Sequence, residues 1–261
     1  MDTNRDAAVD LSSILVVIPA HNEEGSVGAV IRRLTDQGLT AIRVVDNACT
    51  DHTAERAAEA GAKVVVEPKL GYGMACWRGL QDIPDHIEWV LFCDADGCDD
   101  IEAWPQFHSA ALSGCDFVLA NRLASPNSYR HLTFAQRFGN RLATGLIAVF
   151  WKDRFHDLGP MRLIRLDQLD RINMRSRGFG WTVEMQVRVA ELSIMWREIP
   201  VTYRPRKYGK SKISGTVKGV VLAGVVILST IAKHSFRGRI WPKDVPGKNL
   251  SPQSSGTSFD E

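Results

Sequence analysis

Five short segments of this chain are apolar at nearly every position: Ile14–Ile18, Ile42–Val45 (broken only by Arg43), Val64–Val66, Trp89–Cys93 and Phe117–Ala120. A strand that shows no polar face must be covered on both sides. The stretches between these runs supply the covers. Val27, Val30, Ile31 and Leu34 recur at helical spacing and predict a helix over 26–37, ended by Gly38. Further helices are expected from Thr50 or Asp51 to 60, over 72–81, and from Pro105 to 112, where proline suits the first turn. Strand and helix alternate throughout, so the fold class is α/β, a Rossmann-like and mainly parallel sheet with flanking helices in a single domain. After residue 122 the pattern changes. A long helix is expected over 133–150, a short strand over 161–165 with Asp167 as the next cap, a helix over 182–191 and a strand over 194–203. Residues 1–12 and 236–261 read as disordered tails.

Composition narrows the function. The chain has 261 residues, 44% of them hydrophobic, enough for one large domain with a substantial core. Its formal charge of +2 gives no bulk attraction to nucleic acid, and no nucleic-acid partner is expected. The five cysteines are odd in number and form no Cys-x-x-Cys, so free thiols in a reducing, cytoplasmic setting are expected, and a zinc site is not. Residues 1–10 lack the apolar core of a signal peptide. Val217 to Ala232 is strongly apolar but falls short of the ~20 residues of a spanning helix. It reads as a core helix or a membrane-surface helix, which leaves peripheral contact with the cytoplasmic membrane face open.

In open α/β sheets, ligands bind beyond the carboxyl ends of the strands. The residues that follow each apolar run are therefore the candidates. The first run breaks at Pro19-Ala20-His21-Asn22-Glu23, a sharp turn whose backbone and Glu23 can face a nucleotide. The second ends in Asp46, suited to a ribose hydroxyl or a base N–H. No Gly-x-Gly-x-x-Gly follows the first run, which argues against a dinucleotide-dependent dehydrogenase. The fourth ends in Asp94-Ala95-Asp96. Two hard carboxylates at a strand tip suit Mg²⁺ or Mn²⁺ carrying phosphate, while Asp99 and Asp100 suit the cap of the next helix. The fifth ends at Arg122, whose fork matches an acceptor phosphate. Arg206 and Lys210 lie in a run with five basic residues in nine, fit for a diphosphate and for closing over it.

Taken together, VVIPAHNEEGSVGAVIRRL, VVDNACTDHTAERA, the CDADG tip and RPRKYGKSKISG resemble glycosyltransferase family 2, in particular its dolichol-phosphate mannose synthase-like members, over roughly residues 13–225. The resemblance implies a GT-A fold, with 13–122 as the nucleotide-binding half and 123–235 as the acceptor-binding half. It implies transfer of a hexose from a GDP-mannose or UDP-glucose type donor, with inversion, to an acceptor such as polyprenyl phosphate. Under it, Pro19, Ala20, Glu23, Asp46 and Lys69 lie near the nucleotide, and Asp94 and Asp96 hold the metal, with Asp96 the more direct ligand. Cys98 stands where those synthases often carry glutamine. Asp157 falls in the floor of the sugar pocket, and Glu184 falls where inverting members place a catalytic carboxylate. A hydroxyl acceptor needs such a base, whereas an ionised phosphate does not. A soluble hydroxyl acceptor therefore stays open. So does a nucleotidyltransferase, although that chemistry calls for a Gly-rich loop with arginine after the first strand. A binding protein without chemistry is the remaining alternative, against which Asp94, Asp96 and Glu184 argue.

Overall fold

The computed structural model describes residues 9–208 and 217–237. The chain runs through β1 (Ile14–Ala20), α1 (Val27–Asp36), β2 (Ile42–Asn47), α2 (Thr53–Glu59), β3 (Lys63–Glu67), α3 (Tyr72–Gly79), β4 (Trp89–Phe92), α4 (Trp104–Leu112) and β5 (Phe117–Asn121). It continues through α5 (Pro126–His131), α6 (Phe134–Trp151), β6 (Arg162–Arg165), α7 (Leu166–Ile172), α8 (Trp181–Glu191), β7 (Trp196–Pro200) and α9 (Val217–Arg237). Seven strands form one sheet in the order β3-β2-β1-β4-β6-β5-β7. Only β6 is antiparallel to its neighbours, β4 and β5. This is the α/β, GT-A type of sheet expected.

The apolar runs are buried on both faces, and alternate residues feed two separate cores. Ile14, Val16 and Ile18 of β1 pack under α1 and α4. Leu15 and Val17 pack on the other face, under α3 and α8. Helix α3 lies so close to β1 that a Cβ on Gly79 would come 2.3 Å from Val17 Cγ1. β1 extends two residues past the expected break, through Pro19. The carbonyl of Val17 faces β4, so the missing N–H of Pro19 falls on that same side, beyond the register at Phe92 where β4 pairing ends. The proline therefore costs no ladder hydrogen bond.

Three expectations change. Residues 9–12 are held in place: Val9 is buried, its carbonyl meets His108 Nε2 at 2.7 Å, and Asp10 caps a turn over Leu11–Ser13. Asp167 lies inside the first turn of α7 and forks onto Arg165 instead of capping. The long helix α6 begins where expected, on a Thr133/Gln136 capping box. Yet its apolar residues Phe134, Phe138 and Val149 are exposed, and the buried side is Asn140, Ala143, Thr144 and Ile147.

Candidate active site

β1 has β2 on one side and β4 on the other, so the connections that leave its carboxyl end and that of β4 diverge. A crevice opens there by topology alone. It forms a cavity of about 980 Å³ that touches the tips of β1, β4 and β5, the 203–206 segment and the inner edge of α6.

Carboxylates crowd one end of it. Gly97, at φ +76°, turns the chain after β4 so that Cys98 N–H donates to Asp96 Oδ1 at 2.9 Å. Asp94 N–H donates to Asp99 Oδ2 at 2.9 Å. Asp99 thus joins the cluster instead of capping a helix, while Asp100 takes Thr202 N–H at 2.8 Å. Burial, reinforced by Asp99 and Asp96, pushes the Asp94 carboxyl well above the usual range. Burial and then Asp96 push Asp99 up to about 6. Asp94 Oδ1 is sealed from solvent and accepts no hydrogen bond. An orphaned carboxylate oxygen amid like charges is a place for a cation. No three His, Cys, Asp or Glu side chains among the described residues form a metal cage. Mg²⁺ and Mn²⁺ take one or two carboxylates and complete their shell with phosphate and water, a donor set that Asp94 and Asp96 can start.

One protein cation is already at this cluster. Arg206 Nη1 meets Glu23 Oε1 at 2.6 Å, and Nη2 meets Asp96 Oδ2 at 2.7 Å. Burial works against its charge, but the pull of Asp96 and the hydrogen bond to Glu23 outweigh it and hold its pKa above the usual value. Two residues on, the Tyr208 ring packs on bare backbone, where a Cβ on Gly25 would come within 2.9 Å. The 203–208 segment is thereby strapped across the β1 tip. Lys210 lies outside the described residues.

Arg122 also lines the cavity, but its charge is committed behind it. Its backbone N–H, Nε and Nη2 donate to Asp157 at 2.8, 2.7 and 2.8 Å. Asn140 Nδ2 and Leu158 N–H complete five donors on one fully buried carboxylate. Burial opposes the charge on Asp157, yet Arg122 outweighs it and lowers the pKa. Asp157 itself is not among the residues that line the cavity, although its neighbour Leu158 and its partners Arg122 and Asn140 are. Glu184 is likewise turned away. It takes the N–H groups of Arg175 and Ser176, the shortest at 2.6 Å, and faces His234 of α9 at 3.8 Å. Burial raises its pKa, but the nearby His234 and the hydrogen bonds from Ser176 and Arg175 together lower it.

Pro19, Ala20 and Glu23 line the cavity as expected. Asp46 and Lys69 do not. Asp46 Oδ1 takes Cys49 N–H at 2.9 Å in a turn, and Lys69 is exposed. Their neighbour Asn47 is the residue that organises this corner. It is buried, donates to the carbonyls of Glu67 and Lys69, and accepts from Gly71 N–H at 2.8 Å. The strand-tip argument that picked out Asp46 covers Asn47 as well. Arg162 had a signal too, as the charge inside the apolar run of β6. It is fully buried, burial lowers its pKa to about 10, and it ties the carbonyls of Gly159 and Thr182 together beneath the cavity.

The sequence model of Glycosyl transferase family 2 matches residues 15–173, well over half of the chain. The chain belongs to this family. It is a glycosyltransferase. The transferase is 36% identical over 213 residues to an uncharacterized glycosyltransferase of Mycobacterium tuberculosis, covering 81% of this chain and 94% of that one. It is 28% identical over 245 residues to an undecaprenyl-phosphate mannosyltransferase of Micrococcus luteus, covering 87% and 98%. Among solved structures it resembles the glucosyl-3-phosphoglycerate synthase of M. tuberculosis in complex with Mn²⁺, UDP and glucosyl-3-phosphoglycerate. The TM-score is 0.68 at 19% identity, covering 86% of this chain and 80% of that one, a likeness of fold.

Proposed function

We propose that the transferase moves a hexose from a nucleotide diphosphate-sugar, of the GDP-mannose or UDP-glucose type, to the phosphate of a polyprenyl phosphate, with inversion. The observation that carries this reading is the two-sided cavity. One end is built of carboxylates and Arg206, and the other is walled by Phe134, Phe138, Leu142 and Ile227. Such an apolar wall suits a lipid chain beside a charged headgroup. Among the described residues, the carboxylates lining the cavity are Glu23, Asp94, Asp96 and Asp99, all at the donor end. An ionised phosphate acceptor needs no general base. The mannosyltransferase relative named for undecaprenyl phosphate supports the same acceptor class.

In this reading residues 13–122 bind the donor and residues 123–235 the acceptor. Pro19, Ala20 and Glu23 border the nucleoside. Asp94 and Asp96 hold Mg²⁺ or Mn²⁺, which when bound neutralises charge on the departing diphosphate. The manganese complex of the structural neighbour supports that metal class. Arg206 exchanges its carboxylate partners for the diphosphate, and Arg122 presents its Nη1 edge to the acceptor phosphate. Lys210 lies beside this strap in sequence and adds charge for the leaving group. The test has two steps. Thermal stabilisation by GDP or UDP, each with and without Mn²⁺, selects the donor. Transfer of the labelled sugar to undecaprenyl phosphate is then measured against transfer to 3-phosphoglycerate. A lipid-extractable product is expected, and label confined to the water-soluble acceptor overturns the acceptor assignment.

A further inference from the structure

Helix α6 has two apolar sides, and only one is used by the fold. At 100° per residue, Phe134, Phe138, Leu142, Gly145 and Val149 fall on one stripe, opposite the buried Ala143 and Ile147. On this stripe Phe134 and Val149 are each 75% exposed and Phe138 is 60% exposed. The two phenylalanine rings stack at 6.2 Å in the open. The stripe is roughly 22 Å long at ~1.5 Å per residue. Scattered exposed apolar residues are ordinary, but a continuous stripe of this length marks an interaction surface.

Charge identifies what covers it. No Asp or Glu occurs between Arg122 and Lys152, while Arg130, Arg137 and Arg141 do. Arg137 is held over the Tyr129 ring at 4.6 Å, at the foot of the stripe. Helix α9, which packs against α6, has no acidic residue either and exposes Val225 and Leu228. Aromatic and aliphatic side chains interleaved with arginines, without a single acid, are what a helix lying in the interface of an anionic bilayer needs. We propose that the outward face of α6, flanked by Arg130, Arg137 and Arg141, docks the transferase on an anionic lipid surface. This deepens the acceptor reading above and rests on it for its purpose. Phe134, Phe138 and Leu142 of this stripe are themselves the apolar wall of the open cavity, and Val149 continues the stripe beyond it, so docking sets that wall against the bilayer.

The test is co-sedimentation of the full chain with vesicles of phosphatidylcholine alone or of phosphatidylcholine with phosphatidylglycerol. Binding to the anionic vesicles is expected, weakening as salt rises. Val149→Asp, far from the cavity lining, is expected to weaken it about tenfold or more, and Val149→Lys to preserve it. Both variants are expected to keep the parent's nucleotide-induced thermal shift, which shows that the donor site is intact. Equal sedimentation with neutral vesicles, no sedimentation at all, or equal loss in both variants overturns the proposal. So does a dimer in light scattering that either variant dissociates, since the face then belongs to a second copy. Absence of any nucleotide shift in the parent refutes the donor reading and leaves the surface result standing.

Discussion

Replacing Asp157 by Asn separates a structural anchor from a substrate ligand. The substitution keeps side-chain volume but removes the charge and turns one acceptor oxygen into a donor. Oδ2 takes two N–H groups from Arg122, and Oδ1 takes Arg122 Nη2, Asn140 Nδ2 and Leu158 N–H. Whichever way the amide turns, its NH₂ faces at least two donors. The side chains of Arg122 and Asp157 are only 10% and 0% exposed, so solvent does little to screen the loss. Removing one member of a buried ion pair costs about 3–5 kcal/mol. For a domain of this size each kcal/mol is worth about 2–4 °C, so the melting temperature is expected to fall by roughly 6–20 °C. Scanning calorimetry of the parent, Asp157→Asn, Arg122→Met and the double variant Arg122→Met/Asp157→Leu measures it. The double variant is expected to recover part of the loss, because no uncompensated charge remains. The pH dependence has a fixed sign: the folded pKa of Asp157 is lowered, so its contribution is whole above the unfolded value near 3.9 and drains as pH falls through the depressed one. If Asp157→Asn abolishes transfer while the melting temperature stays within about 2 °C of the parent, the carboxylate serves substrate and this reasoning fails.

Arg206→Met removes a positive charge from the Glu23–Asp96 corner: the ligand-free protein is expected to melt lower, to be stabilised by Mn²⁺ alone more than the parent is, and to transfer sugar poorly; equal Mn²⁺ shifts in both proteins would count against Arg206 as a resting counter-charge. Glu184→Gln is expected to lower transfer only severalfold, because the carboxylate holds the 175–176 backbone, whereas loss of a general base costs about 10²–10⁴-fold in kcat. His234 sits between Glu184 and Glu191, and although burial opposes its charge, those two carboxylates raise its pKa above 6.5. Its contribution is therefore complete below that value and lost as pH rises through the raised one, so urea midpoints at pH 6 and pH 8 should differ more in the parent than in His234→Gln. Gly73→Ala places a Cβ 2.6 Å from the Arg177 carbonyl carbon, a backbone clash expected to cost about 1–3 kcal/mol in urea unfolding.

The donor half of the fold was legible because burial on both faces leaves an unmistakable mark. Runs such as Leu15–Ile18 and Trp89–Cys93 have no other home than a covered sheet, and their ends name the ligand side. The insertion of β6 between β4 and β5 was not legible, since strand order depends on which long-range pairing best buries Leu163 and Ile164, and no local pattern encodes that. Helix positions transferred well, but side-chain directions did not. Spacing put Glu184 in the first turn of α8, as found, but whether it faced the cavity or the 175–176 backbone rested on tertiary packing. Helix α6 shows the same limit. Periodicity marks Phe134, Phe138 and Leu142 as an apolar stripe, but small residues such as Ala143 fit the core better, and polar Asn140 went inside because Asp157 was there to receive it.

The buried carboxylates of the scaffold and those of the site differ in how far their oxygens are already filled. Asp157, Glu184 and Asn47 have their acceptor oxygens filled by backbone or side-chain donors, so each fixes a loop and has little left to offer a ligand. At the β4 tip, Asp94 keeps an oxygen with no partner, and Asp96 spends one on Arg206, the side chain of a strap that follows the last strand by only a few residues. A carboxylate cluster of this kind is costly without positive charge, and Arg206 supplies it from the protein when no metal–nucleotide complex does. Under the proposed function, exchange of one cation for another would couple donor binding to the strap: the group that balances Glu23 and Asp96 at rest would be the one released to meet the diphosphate.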